Sequence, residues 1–307
     1  MASENRTLLR KAEIAVADFT TGGLLQPAQA DKFIRLAIKQ PVLLQRCTVT
    51  PMKAMKEERD KMRFSARVLK AGNEGTNLPA VAWAKPSMSM FTLDAQLFKA
   101  EMRITDEALE DQIERGTFRD TLIEELSKAI GRDMEFVIIN GDTASADPLL
   151  AKLNGILKQT TSHIVDGLSA KLGKSILRDM YRSLPDEWAD SPTLEYFSNR
   201  QARIDYKDAL SDRATALGDV MLQTRGPVTW SDYPVNAVSE FPVDGANNTQ
   251  VLLGDPKGIY VGFYRNIKIK IAEDISAGVV IIVATVRFDV KLAEQDAFVK
   301  AINVKGA

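Results

Sequence analysis

Residues 104–142 read ITDEALEDQIERGTFRDTLIEELSKAIGRDMEFVIINGD, and this stretch decides the fold class. Thr105 is placed to cap a first helix, with Asp106 and Glu107 at its positive end, and Gly116 breaks it. Thr117 and Asp120 then form a capping-box-like pair that opens a second helix. Leu122, Leu126, Ala129, Ile130, Met134 and Val137 recur on one face of it, and Gly141 ends it. About 22 residues at 1.5 Å each span roughly 33 Å, long for a globular domain. The pattern predicts a spine helix on which other parts hang. Its approach is acidic: residues 101–125 hold nine acids against three arginines, net −6.

Upstream, helical periodicity is absent from 48 to 97, where extended stretches are broken at Gly72, Gly75, Pro79 and Pro86. Fifty largely polar residues are too long for an ordinary connection and too patterned for a linker, so they predict a two-stranded excursion. Lys53, Lys56, Arg59, Lys61, Arg63, Arg67 and Lys70 oppose Glu57, Glu58 and Asp60, leaving net +4 within residues 53–70. That is the charge complement of the spine approach. Before the excursion, Pro27 opens a helix carrying Phe33, Ile34, Ala37 and Ile38, which stops before Pro41.

Downstream, helices and strands mix. Residues 169–184 place Leu172, Ile176, Met180 and Leu184 on one helical face; 194–197 read as a strand feeding a helix from Asn199. After Gly226 the chain turns to strands at 250–254, 258–272 and 278–290. The fold class is α+β.

Bulk composition excludes several functions. With 40 Lys plus Arg against 41 Asp plus Glu, the chain lacks the positive field of a free nucleic-acid binder. The polar start predicts a cytosolic chain, and the longest apolar stretch, 277–286, is far short of the roughly 20 residues of a membrane span. Cys47 is the only cysteine, read as a small buried apolar residue, so no internal disulfide or thiolate cluster can form. His163 is the only histidine, which removes multi-histidine metal sites and any triad needing a second imidazole. Gly72–Gly75 reads as a turn, since it lacks the Lys-Ser/Thr ending of a phosphate loop. No catalytic, metal or cofactor residue is assigned.

The order of these segments resembles the Hong Kong 97-type major capsid proteins of tailed phages over essentially the whole chain. Gly23-Leu24-Leu25-Gln26-Pro27-Ala28-Gln29-Ala30-Asp31-Lys32-Phe33-Ile34 looks like the family's N-terminal arm motif, and the basic hairpin takes the place of its extended loop. Residues 104–111 and the helix to Asn140-Gly141-Asp142 match the acidic approach, spine helix and Gly-Asp exit of its peripheral domain. Tyr196-Phe197-Ser198-Asn199-Arg200, Arg225-Gly226-Pro227-Val228 and Leu253-Gly254-Asp255-Pro256-Lys257-Gly258-Ile259-Tyr260 look like axial-domain segments and the return to the peripheral domain.

The resemblance implies an arm at 1–47, an extended loop at 48–97, a peripheral domain at 98–150 with 254–295, and an axial domain at 151–253 with 296–307. It implies self-assembly as hexamers and pentamers into an icosahedral head that encloses double-stranded DNA without strong specific binding, with a scaffolding protein, a portal and room for a cement protein. Assembly would occur in the host cytoplasm and the product would be the virion capsid. On this reading Lys53, Lys56, Arg59, Lys61, Arg63, Arg67 and Lys70 of one loop lie over Asp106, Glu107, Glu110, Asp111 and Glu114 of a neighbouring subunit. Two departures bear on it. Only about 20 residues precede the arm motif, so a separate scaffolding protein is expected. The turn 274–278 also lacks the asparagine that some members use for a covalent cross-link, so a non-covalent shell is expected. An encapsulin, a bacterial compartment of the same fold, is the alternative, and an α+β enzyme of unknown class a weaker one.

Overall fold

The computed structural model describes residues 13–14, 41–64, 67–72, 75, 77–79, 83–110, 118–211 and 228–306. The arm helix expected after Pro27 lies outside them, as do Asp111 and Glu114.

Three sheets carry the chain. A five-stranded sheet has the order β1-β5-β12-β11-β2, built from Glu13–Ile14 (β1), Thr48–Pro51 (β2), Gln96–Thr105 (β5), Ile259–Asp274 (β11) and Val279–Leu292 (β12). A six-stranded sheet has the order β6-β13-β10-β7-β9-β8: His163–Asp166 (β6), Glu195–Ser198 (β7), Thr229–Trp230 (β8), Tyr233–Ala237 (β9), Asn248–Gly254 (β10) and Val299–Lys305 (β13). The third is a two-stranded hairpin, Lys56–Arg63 (β3) with Ser87–Asp94 (β4). Among the helices are Asp106–Glu110 (α1), the spine helix Phe118–Asn140 (α2), Ile156–Gln159 (α3), Lys174–Ser183 (α4), Asp186–Ala189 (α5) and Arg200–Ser211 (α6).

The spine helix runs 23 residues. Thr105 Oγ1 accepts from the Ala108 backbone N–H at 3.3 Å, the cap expected of it. Leu122 and Leu126 pack with Ile104, Ala108, Val280 and Ile282. Met134, Val137 and Ile138 join the largest core, with Phe288, Val290, Leu252 and Phe298. That core includes residues of both large sheets, so they share buried apolar surface. A second core under the six-stranded sheet gathers Leu172, Leu177, Met180, Tyr196 and Val299.

Strand β12 shows why an apolar run sits as a strand here: its residues alternate between fully and partly buried, because the sheet has two unequal faces. Observed strands match the expected ones to within two residues at 248–254, 259–274 and 279–292. The helix expected from Ser169 begins only at Lys174, because Leu168 and Ser169 hold positive φ angles of 51° and 57° and Gly173 occupies the N-cap. His163 opens strand β6 and is partly buried. Cys47 is buried, as read.

Behind the spine, two glycines let backbones touch. Gly155 donates its N–H to Gly141 O at 2.8 Å, and a Cβ on Gly155 would meet Ile138 and Ile139 carbonyl oxygens at 2.7 Å. The spine exit is therefore fixed by main chain against main chain.

Candidate subunit interface

The excursion predicted at 48–97 contains the hairpin, and its root is held firmly. Residues 48–51 lie in the five-stranded sheet, paired in parallel with β11 from Tyr260 to Phe263. Leu93 is fully buried with Met52 and Ala95, and both Met52 and Leu93 press on Gly262, where a Cβ would sit 2.7 Å from Met52 Sδ. Asp289 secures the return strand: one carboxylate oxygen accepts from the Asp94 N–H at 2.8 Å and the other from the Val290 N–H at 2.8 Å. Burial pushes the Asp289 carboxyl up against the pull of those donors.

Beyond the root, the ladder pairs Glu57 with Leu93, Arg59 with Phe91, Lys61 with Ser89 and Arg63 with Ser87. Directly opposed residues share a face and alternate residues switch faces. Glu57, Arg59, Lys61 and Arg63 are partly buried, while Lys56, Glu58, Asp60 and Met62 are exposed. The first set faces its own subunit. Arg59 pairs with Glu57 at 2.7 Å, Lys61 with Glu294 at 2.8 Å, and Arg63 with Glu187 at 3.6 Å. Lys61 also donates to the Ala293 carbonyl, and Phe91 stacks obliquely on Tyr260 with ring centroids 5.3 Å apart. At the near end, the Lys53 N–H donates to Glu57 at 2.9 Å, and this bond, then the Arg59 guanidinium, holds the Glu57 carboxyl below its ordinary range.

The seven bases expected to work together are thus divided. Arg59, Lys61 and Arg63 have acidic partners in their own chain; Lys53, Lys56, Arg67 and Lys70 are exposed. Sequence alternation from Lys56 to Arg63 signals that split, but Glu187 and Glu294 lie more than 120 residues away and no local pattern points to them.

The acidic partners are divided too. Asp106 and Glu107 are exposed at the start of α1, with the Asp106 N–H bound to Gly278 O at 2.9 Å. Glu110 lies in the same helix. Neighbouring acids are compensated: Glu101 by Lys99 at 2.7 Å and Arg103 at 3.1 Å, Glu124 and Glu125 by Lys128 at 2.9 Å. Among the described residues, the ion partners of the hairpin bases are Glu57, Glu187 and Glu294, so the expected contact with the spine approach is not made within one chain.

Among the described residues no group of three or more His, Cys, Asp or Glu is arranged to hold a metal ion. No described helix is long and apolar enough to cross a membrane.

Comparison with known proteins gives a consistent picture. The model of the Phage capsid family matches residues 21–302. A putative prophage capsid protein of Bacillus subtilis, YqbE, is 31% identical over 309 residues, covering 98% of this chain and 99% of that protein. Among solved structures, the capsid of a native GTA particle superposes with a TM-score of 0.68 at 16% identity, covering 95% of this chain and 99% of the other. The satellite phage P4 procapsid gives 0.64 at 14% identity, covering 100% and 99%. The SrpI encapsulin of Synechococcus elongatus gives 0.64 at 12%, covering 95% and 96%. The shared architecture is the Hong Kong 97-type fold.

Proposed function

The chain belongs to the phage capsid family, and from that premise we propose how it works as a shell subunit. It is a major capsid protein that forms the phage head shell. Copies join as hexamers and pentamers, each hairpin lying across the next copy. Exposed Lys53, Lys56, Arg67 and Lys70 then face the neighbour's Asp106, Glu107, Glu110, Asp111 and Glu114. Each exposed pair contributes only about 0–1 kcal/mol, but repetition at every contact sets the register between subunits. Arg59, Lys61 and Arg63 seat the hairpin on its own chain.

The observation that carries this reading is the kinship with the prophage capsid protein across nearly the full length of both chains. The likeness to an encapsulin is at 12% identity and speaks to the shared fold. We take the role to be structural and not catalytic, supported by one histidine and one cysteine in 307 residues. A scaffolding protein and a portal complete head assembly in the host cytoplasm, a cement protein has room on the shell, and the near-neutral subunit confines double-stranded DNA without gripping it. Sedimentation and electron microscopy of the chain produced with its neighbouring head-assembly proteins test the reading. Closed icosahedral shells are expected; a chain that stays monomeric at every concentration overturns it.

A further inference from the structure

Helix α4 carries its charges in an arrangement that its own electrostatics disfavours. Lys174, Arg178 and Arg182 recur every four residues and all three are exposed, while Ile176, Leu177 and Met180 fill the core under the six-stranded sheet. Like charges four apart repel on a helix surface, and Lys174 stands at the positive end of the macrodipole with no acid in the first turn to offset it. The spine helix does the opposite: Lys128 answers Glu124 at the same four-residue spacing, 2.9 Å away. A stripe that works against its own helix points to a partner outside the chain.

The surroundings extend the charge. Exposed Lys171 precedes the helix and reaches Asp205 of α6 at 3.4 Å, tying the two helices together over one core. Arg178 has Asp179 at 3.4 Å. Helix α6 adds Arg200, Arg203 and Lys207 against Asp208. Residues 171–183 and 200–211 together hold seven cations and three carboxylates, net +4 on a chain of net −1. The acids Asp186, Glu187 and Asp190 follow only after Pro185, and Glu187 is taken by Arg63 of the hairpin.

We propose that Lys174, Arg178 and Arg182 line the inside of the shell and contact the phosphate backbone of the packaged double-stranded DNA. The inference rests on the shell reading and deepens it: the subunit as a whole is near neutral, and one helix face per copy meets the polyanion. Four residues at about 1.5 Å each put successive cations about 6 Å apart and the whole stripe at about 12 Å. Over that length duplex DNA presents roughly seven charges, at about 1.7 Å per charge. Lysine and arginine contacts to phosphate oxygens carry no base information, so the contact is blind to sequence, as a container for a whole genome needs. Three neutralised phosphates lose about 40-fold in affinity for a fourfold rise in salt, so the hold is reversible and the DNA can leave.

Lysine footprinting in purified particles tests this. DNA-filled particles, the same particles emptied of DNA, and DNA-free precursor shells are treated with an acetylating reagent, and modification of Lys174 is read by mass spectrometry. Lys174 should react several-fold more slowly in filled particles than in emptied ones. Equal rates in the two overturn the proposal, and rates that are slow in both would place a second copy of the chain on the stripe. Protection confined to precursor shells also overturns it, since the occupant would then be an acidic protein. Lys174→Gln with Arg178→Gln and Arg182→Gln gives an independent measure: circular dichroism and shell yield should stay at the parent level, while DNA escapes from heated filled particles at a lower temperature. An unchanged release temperature, or a loss of shell yield with the fold intact, overturns the proposal. Closed shells that never take up DNA overturn it too and leave the shell reading standing; failure of the unmodified chain to form shells removes that reading and this inference with it.

Discussion

Lys61, on the inward face of the hairpin, forms a 2.8 Å ion pair with Glu294, 233 residues further along the same chain. Arg63 repeats the arrangement with Glu187. Both pairs are partly solvated, so each contributes at most about 1 kcal/mol. They nonetheless decide which hairpin face is left free.

Removing both acids should loosen the hairpin without harming the body. For Glu187→Gln with Glu294→Gln, hydrogen exchange on free subunits should rise up to about fivefold per lost pair across 56–63 and 87–94. Protection of the spine helix should stay unchanged. Equal exchange in variant and parent would show that contacts at the hairpin root alone hold it.

Glu135 anchors the other excursion. It is 3% exposed, and its Oε1 accepts from the Leu43 N–H at 2.5 Å and the Leu44 N–H at 3.3 Å, clamping the end of the arm to the spine. Burial raises its carboxyl above the ordinary range despite those donors. A folded-state pKa above the unfolded one means that its contribution is full below the ordinary carboxylate range and is lost as pH rises through the folded value. Asp289 behaves alike. Glu57, Asp142 and Asp274 are lowered and have the opposite sign, losing their contribution on acidification. Glu135→Gln keeps an acceptor and removes a buried charge, so denaturant unfolding at neutral pH should show equal or higher stability. Glu135→Leu orphans two backbone donors and should cost about 2–3 kcal/mol. A destabilised Gln variant would contradict the assignment.

Two glycine substitutions should have opposite signs. Gly155→Ala drives a methyl into three backbone atoms at 2.7 Å and should lower stability by about 1–3 kcal/mol or more. Gly131, inside the spine helix, has nothing within 4 Å of its Cβ position, so Gly131→Ala should raise stability by roughly 0.5–1 kcal/mol. Thermal melts of the two variants check this.

Much of this architecture was legible in local sequence. Thr105 and Gly141 punctuate the helices, and the apolar face from Leu122 to Val137 marks the spine, because caps and periodicity are properties of a few adjacent residues. The run at 277–286 reads correctly as a strand. What escaped depends on distant partners. Glu135 lies on the polar side of the helical pattern and is buried only because the chain at 42–44 lies over it. The hairpin bases form one charge cluster in sequence and two sets in space: the strand sends Lys56 to the face opposite Arg59, Lys61 and Arg63, while Lys53, Arg67 and Lys70 lie outside it. Leu168 and Ser169 delay a helix through positive φ angles that neither residue type favours.

Reversing the exposed bases tests whether charge sets the register between copies. Lys56→Glu with Arg67→Glu and Lys70→Glu takes residues 53–70 from +4 to −2 and turns attraction toward the spine approach into repulsion. Particle yield by sedimentation should fall, and fall further at low salt, because charges are screened beyond a Debye length of about 8 Å at physiological ionic strength and lower salt extends their reach. Asp106→Lys with Glu107→Lys should restore part of the yield. Normal yield from the triple variant would leave shape and apolar packing as the source of register.

The most direct test of the central claim is a cryo-electron microscopy reconstruction of assembled particles, resolved well enough to trace residues 56–94 of each subunit. The account predicts an icosahedral shell in which that hairpin crosses onto the adjacent copy. A shell in which every hairpin stays wholly on its own subunit would contradict it.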